Sequence, residues 1–416
     1  MHERENGLVI HHSLRTLTLG LLSFGLLGCD SEVEPEAELA LIADEQAAAL
    51  EIDAAQLDPE RYELIADVEM SADLDIASSL DPRERWGLEL EDGIYVLQGT
   101  SLYRYRGEVP ELPVFTPEQL ANPGVLQPGE VWGEPTEMTA VNDWAPAPEA
   151  PAPAPAPAPA PDTIEYGIES TPNVLLGSDD RVKVVSTTGY PARTVGKMLN
   201  NCTATLIGPR HAITAAHCVN GTSSFQWVPG QNGDGVMPNG GPYTTTHVYF
   251  RVASSVLLDY AVLGLPNNSN IASLGWLGMY WYASMSSYDG KYVYLKGYPI
   301  SSQTCSGVSC GGFMWGDGGS INIAAQAEGN NGVLYYPLDT SGGQSGSSIY
   351  TYISGVPAVL GVHKRGNETG GCNTCDYTNL PADQNVGPLL TQTVYNDVCW
   401  MMGEIGPSSF ASHPCT

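Results

Sequence analysis

The 416-residue sequence predicts an all-β fold closed by one C-terminal helix. Three observations carry that prediction. Short β-branched or aromatic runs recur through the C-terminal three fifths: Val182 to Val185, Thr246 to Val252, Tyr292 to Leu295, Val333 to Leu338 and Ala358 to Val362. Gly, Pro, Asn and Ser divide these runs, which reads as a sandwich or barrel and not as alternating βα units. A helical period occurs once, late in the chain. Leu390, Val394 and Val398 recur every four residues between Leu390 and Met402, as in a helix packed by one face.

The chain begins with an export signal over residues 1–29. Arg4 and Arg15 lie in a polar stretch, and an apolar run from Leu17 to Gly28 follows, too short to span a bilayer comfortably. The run ends in Leu26-Leu27-Gly28-Cys29, which resembles a bacterial lipobox. Cys29 is then the lipidation site and a membrane tether for the precursor; the alternative is an ordinary signal with an incidental Cys29.

Residues 30–144 form an acidic pro-region. The formal charge of the whole chain is −30. Ser170 onward holds ten Lys/Arg and thirteen Asp/Glu, so 27 of those negative charges lie in residues 1–169. Such a leader argues against nucleic acid as a partner. Gly93 to Leu97 and Leu102 to Tyr105 read as strands, and the pattern leaves open whether the pro-region folds as a whole. Residues 145–161 are an Ala-Pro repeat, whose prolines enforce an extended backbone. It forms a semi-rigid spacer of roughly 50 Å at about 3.1 Å per residue.

The domain over residues 170–416 carries eight of the nine cysteines, all between Cys202 and Cys415. An even number in one exported domain predicts four disulfides in an oxidising compartment. Cys372 and Cys375 are read as a loop staple, since no second CxxC accompanies them to complete a zinc site.

Three short blocks carry chemistry. Thr214-Ala-Ala-His217-Cys218 follows an apolar strand, Cys202 to Gly208. Leu258-Asp259-Tyr-Ala-Val262 places an acid at the start of another. Gly342-Gly-Gln-Ser345-Gly-Ser347 surrounds a serine with glycines. A serine hydroxyl needs a neighbouring imidazole to become a nucleophile, and an acid to fix the imidazole tautomer. His217, Asp259 and Ser345 supply those three groups. Glycines beside Ser345 allow a sharp turn that aims the amides of Gly343 and Ser345 at an oxyanion, worth a few kcal/mol of barrier each. Each block alone has a bland reading as loop or core. Together, in the order His, Asp, Ser, at spacings of 42 and 86 residues on a β-rich domain, they point to a serine protease.

From about Val174 to its end the chain resembles the bacillus-type bacterial glutamyl endopeptidases, a branch of the trypsin-like serine proteases. The likeness rests on Val174-Leu-Leu-Gly-Ser-Asp-Asp-Arg181, Thr214 to Cys218, Asp339-Thr-Ser-Gly-Gly-Gln-Ser-Gly-Ser347 and Gly361-Val-His363. It implies a chymotrypsin-like double β-barrel with no cofactor, acting as a monomer on protein and peptide substrates. It also implies that Thr340 and His363 bind a P1 glutamate, whose carboxylate must be hydrogen-bonded to offset desolvation. A structural histidine is the plain alternative for His363. Lys364 and Arg365 read as solvated loop charges, the alternative being that they add positive potential to the pocket. Cys202 and Cys218 would pair and brace the loop of His217. Asp179-Asp180 are far too few ligands for calcium, and no metal constellation is visible.

Two departures stand out. Ser347-Ser348 replaces the Ser-Pro usual after the nucleophile block, and the loop after His363 carries Cys372 and Cys375. Glu169 lies between linker and domain, so self-cleavage there would free Ser170 as a new amino terminus and convert a zymogen into a secreted enzyme, with the pro-region as its own partner. The competing readings are a trypsin-like protease of other P1 preference, an inactive surface binding protein on the same fold, and an esterase, which the fold reading disfavours.

Overall fold

Several strands are covered on both faces. Every residue of Val195–Met198, Cys202–Gly208, His211–Thr214 and Ala261–Gly264 is buried, the polar Lys197, Thr203, Thr205, His211 and Thr214 included. The structure is a computed structural model and describes residues 57–68, 86, 88–109, 178–219, 223–252, 258–326, 332–353, 355–366, 384–409 and 415. The export signal with Cys29, the Ala-Pro linker, Glu169, Ser170, Cys372 and Cys375 lie outside them.

In chain order the strands are β1 (Tyr62–Asp67), β2 (Gly93–Gln98), β3 (Ser101–Tyr105), β4 (Val182–Lys183), β5 (Val195–Met198), β6 (Cys202–Gly208), β7 (His211–Thr214), β8 (Gln226–Pro229), β9 (Tyr243–Thr244), β10 (His247–Val252) and β11 (Ala261–Gly264). They continue as β12 (Gly278–Met279), β13 (Tyr292–Gly297), β14 (Thr304–Cys305), β15 (Val308–Ser309), β16 (Trp315–Ser320), β17 (Ile323–Gln326), β18 (Gly332–Tyr336), β19 (Ser348–Ile353), β20 (Val356–Val362), β21 (Arg365–Gly366) and β22 (Asn385–Pro388). Among the described residues, helix α1 spans Ser269–Ser273 and α2 spans Gln392–Ile405.

The strands sort into two halves. In the first, β8-β5-β6-β7-β11-β10 are antiparallel neighbours. β9 pairs with β8 and runs into β10 two residues later, so the row of strands curls until its two ends approach. In the second, β12-β20-β19-β13-β16-β4 form one sheet and β17-β18-β22-β21 another, bridged at Gly361 and Leu389. This is the double barrel that the sequence implied. Each predicted run holds a strand, with ends shifted by a few residues.

The C-terminal helix is α2, starting two residues after the predicted Leu390 and running three past Met402. Thr391 caps it, its hydroxyl accepting the Val394 amide at 3.3 Å. Val394, Val398, Met401, Met402 and Ile405 are buried on its packed face. Cys202–Cys218 is bonded as implied, and Cys305–Cys310 and Cys399–Cys415 are further disulfides. β19 begins at Ser348, so the missing proline does not shorten that strand.

The acidic pro-region folds in part. β2 and β3 make a hairpin, β1 pairs with β3, and β2 pairs with β10, so the three strands extend the first barrel's sheet. Within the segment, Arg104 pairs with Glu91 and Arg106 with Glu63.

Candidate active site

Strand register brings His217 and Asp259 together. Thr214 is opposite Ala261 in the β7–β11 ladder, so the residues just after Thr214 and just before Ala261 emerge at the same end. His217 follows in a 3₁₀ turn, Ala216–Cys218, pinned by the disulfide to the start of β6. The Asp259 carboxylate accepts the His217 backbone N–H at 2.8 Å and the Nδ1–H at 2.6 Å. With Nδ1 donating, the neutral ring keeps its lone pair on Nε2, the tautomer a general base needs. Burial opposes the Asp259 charge, yet the His217 ring, Lys364 and these hydrogen bonds hold its pKa far below the usual carboxylate range.

Ser345 arrives from the second barrel. Its carbonyl accepts the Thr203 N–H at 2.8 Å and lies 3.8 Å from Cys218 Sγ, so it sits beside the residue that follows His217. Ser345 Oγ donates to the Lys364 carbonyl at 3.2 Å. Two glycines set the turn. Gly343 (φ +97°) and Gly346 (φ +84°) occupy left-handed backbone, and a Cβ on Gly343 would lie 2.5 Å from the Tyr298 carbonyl. Among the described residues the N–H groups of Gly343 and Ser345 have no hydrogen-bond acceptor, although Gly343 is buried. Buried amides are rarely left unpaired, and a waiting oxyanion site is one physical reason.

The two pocket candidates are joined through a shared wall. β18 and β22 place Tyr336 opposite Asn385. The Tyr336 hydroxyl is 2.6 Å from His363 Nδ1, and Thr340 Oγ1 donates to Asn385 Oδ1 at 3.0 Å. Asn385 Nδ2 in turn donates to the Leu338 carbonyl. His363 is 2% exposed. Burial, then the His217 charge, push its pKa down to about 3, so the ring is neutral. His363 also clasps the nucleophile turn, since its N–H donates to Ser347 O and its carbonyl accepts the Gly346 N–H.

Two residues were missed or misread in the sequence. Lys364 is not a solvated loop charge: its side chain is 14% exposed and Nζ lies 3.4 Å from Asp259 Oδ2. The backbone at His363 and Lys364 follows the Ser345 turn, which carries the side chain onto the acid. Arg181 was read only as part of a resemblance, yet its side chain is 1% exposed. Its Nε and Nη2 donate to the two Asp179 oxygens at 2.8 and 2.7 Å. Nη1 donates to Gln344 Oε1 at 3.0 Å and to Ser341 Oγ, and Nη2 to the Thr304 carbonyl at 3.2 Å. One buried guanidinium therefore spans the segment between Thr340 and Ser345. Next to it, Asp180 N–H donates to Asp339 Oδ2 and Asp339 N–H to Asp317 Oδ2. Burial and these two acids push Asp180 up to about 7.

Among the described residues one group of side chains lies close enough to share a metal ion: Cys202, His217 and Cys218. Both sulfurs are spent in the disulfide and His217 Nδ1 on Asp259, so this set does not fit a metal.

Over 249 residues the chain is 30% identical to the glutamyl endopeptidase of Bacillus licheniformis, covering 56% of this chain and 69% of that protein. It is 27% identical over 245 residues to the extracellular metalloprotease of Bacillus subtilis, covering 55% and 69%. Among solved structures, a Glu endopeptidase in complex with MPD is similar at 25% identity and a TM-score of 0.41, with 54% of this chain and 97% of that one covered. No model of a known protein family matches.

Proposed function

This chain belongs to the glutamyl endopeptidase family and is a serine endopeptidase, and from that premise we propose that it cleaves peptide bonds after glutamate through His217, Asp259 and Ser345. Ser345 Oγ attacks the scissile carbonyl while His217 Nε2 takes its proton. The tetrahedral oxyanion is held by the N–H groups of Gly343 and Ser345. As it collapses to the acyl-enzyme, His217 returns the proton to the leaving amine. Water then attacks the ester by the same route in reverse, with Asp259 stabilising the imidazolium in each half-reaction.

The observation that carries the P1 assignment is the Tyr336–His363 contact. When Tyr336 donates to Nδ1, the buried neutral ring presents Nε2–H as a donor, and Thr340 adds a hydroxyl whose proton Asn385 holds until substrate competes for it. Two neutral donors suit a carboxylate that must be hydrogen-bonded to offset its desolvation. On peptides that differ only at P1 (Glu, Asp, Gln, Ala, Phe, Lys), Glu is expected to give the highest kcat/KM and Ser345→Ala no turnover. A preference for another residue would keep the triad and remove the pocket assignment. Inertness of folded, processed protein toward every peptide would favour the binding-protein reading.

We further propose export as a zymogen, cut after Glu169. The extracellular relative and the disulfides support export. N-terminal sequencing of secreted enzyme is expected to begin at Ser170; any other start counts against this site. Lipidation at Cys29 would tether the precursor, and a Cys29→Ser protein that still partitions with membranes would sink that part.

A further inference from the structure

The leader's strands do not behave like a covering that is made to be shed. β2 pairs with β10 along its whole length, from Gly93 opposite Val252 to Gln98 opposite His247. Ile94, Tyr95, Val96 and Leu97 are consecutive and all at most 3% exposed, so β2 is covered on both faces. They share one hydrophobic core with Val248, Tyr249, Phe250 and Val252 of the protease domain. The contacts are aromatic. Tyr95 stacks on Phe250 at 5.9 Å between centroids, and Tyr105 meets Trp400 of α2 at 4.4 Å.

The acidic character of the leader plays little part in this seam. Its ion pairs run mostly within the segment, and the charged contact across is reversed in sign: Arg61 and the Tyr62 hydroxyl both donate to Glu404 of α2, at 2.7 and 2.6 Å. At the hairpin turn, Gly99 N–H donates to Ser223 Oγ and the Ser223 N–H to the Gly99 carbonyl. Ser223 lies six residues beyond His217. An interface that is apolar, doubly covered and laddered by main-chain hydrogen bonds has the make-up of an obligate contact, not a transient one. Its removal would bare an apolar strand edge at β10, which folded proteins avoid.

We propose that the leader segment carrying β1, β2 and β3 is a lasting non-covalent subunit of this protease: once the chain is cut between leader and domain, these strands stay bound on the β10 edge. Activation then severs the connection without dissociating the leader, and the active species has two chains. The inference rests on the proposed cleavage, but its test does not. A full-length Ser345→Ala chain, with a site for an unrelated protease placed within residues 145–161, is cut in vitro and run on gel filtration and native mass spectrometry. Both fragments are expected in one peak at a 1:1 mass. Separation of a soluble protease-domain fragment from its leader would overturn the proposal, whether or not the enzyme cleaves after Glu. A second variant adds Val96→Asp and Leu97→Asp, with folding of the uncut chain checked by circular dichroism. It is expected to lose its leader on cutting. Unchanged co-elution would show that the β2–β10 ladder is not what holds the fragments.

Discussion

Asp259→Asn is expected to leave the protein folded and to lower kcat on the order of 10⁴-fold, with KM little changed. The asparagine fits the same space and can still accept the His217 backbone N–H with its carbonyl oxygen. What it cannot do is offer acceptors to both the backbone amide and Nδ1–H, as the carboxylate does at 2.8 and 2.6 Å. One of those contacts must be lost or face an amide donor. Turning the amide toward Nδ1 makes that nitrogen accept and moves the ring proton to Nε2, where the general base needs a lone pair. The charge that stabilises the imidazolium is lost as well, and with it the 3.4 Å ion pair between Lys364 Nζ and Asp259 Oδ2. Steady-state kinetics on a Glu-P1 peptide, beside a thermal melt, checks this. A loss below about 10-fold would mean that Asp259 is not the orienting acid.

Arg181→Met is expected to destabilise the domain by about 3–5 kcal/mol, because Asp179 loses the bidentate partner that justifies its charge. For a domain of this size that corresponds to a fall in Tm of roughly 6–20 °C. Activity falls too. Ser341 Oγ and Gln344 Oε1 lose the guanidinium that ties them together, and the turn carrying Gly343 and Ser345 loosens. Small misplacements of a nucleophile cost about 10²-fold, so kcat is expected to drop by roughly 10–100-fold. Adding Asp179→Asn separates the two effects. It removes the stranded charge while keeping an acceptor for the Ser306 N–H, so Tm recovers in part and kcat does not. Recovery of both together would show that Arg181 acts on stability alone, and an unchanged Tm in the single variant would refute the buried-pair account.

Legibility followed the range of the physical signal. Thr214-Ala-Ala-His217-Cys218 could be read locally because strand, turn and base lie within a few consecutive residues. α2 could be read because its period of four is set by one packed face, although its ends moved: Thr391 caps the helix where the apolar pattern had placed its start one residue earlier. Arg181 could not be read, because its partners Thr304, Ser341 and Gln344 lie 123 to 163 residues away. Lys364 was taken as solvated for the same reason: nothing nearby in sequence announces that Asp259 lies above it. Tyr336 and Asn385 joined the pocket wall through the β18–β22 register, which is a property of paired strands and not of either one.

The sequence by itself determined the all-β class, the proposed triad of His217, Asp259 and Ser345, the glycines around Ser345 and the strand character of β2 and β3. These depend on residue types, short spacings and local periodicity. Tertiary structure alone decided that Arg181 braces the nucleophile loop, that Lys364 lies against Asp259, and that the leader's hairpin pairs with β10. Each of these is a choice of partner between distant segments. A strand's apolar pattern says that it must be covered and a buried charge says that it must be paired, but only the folded chain selects which edge and which counter-charge.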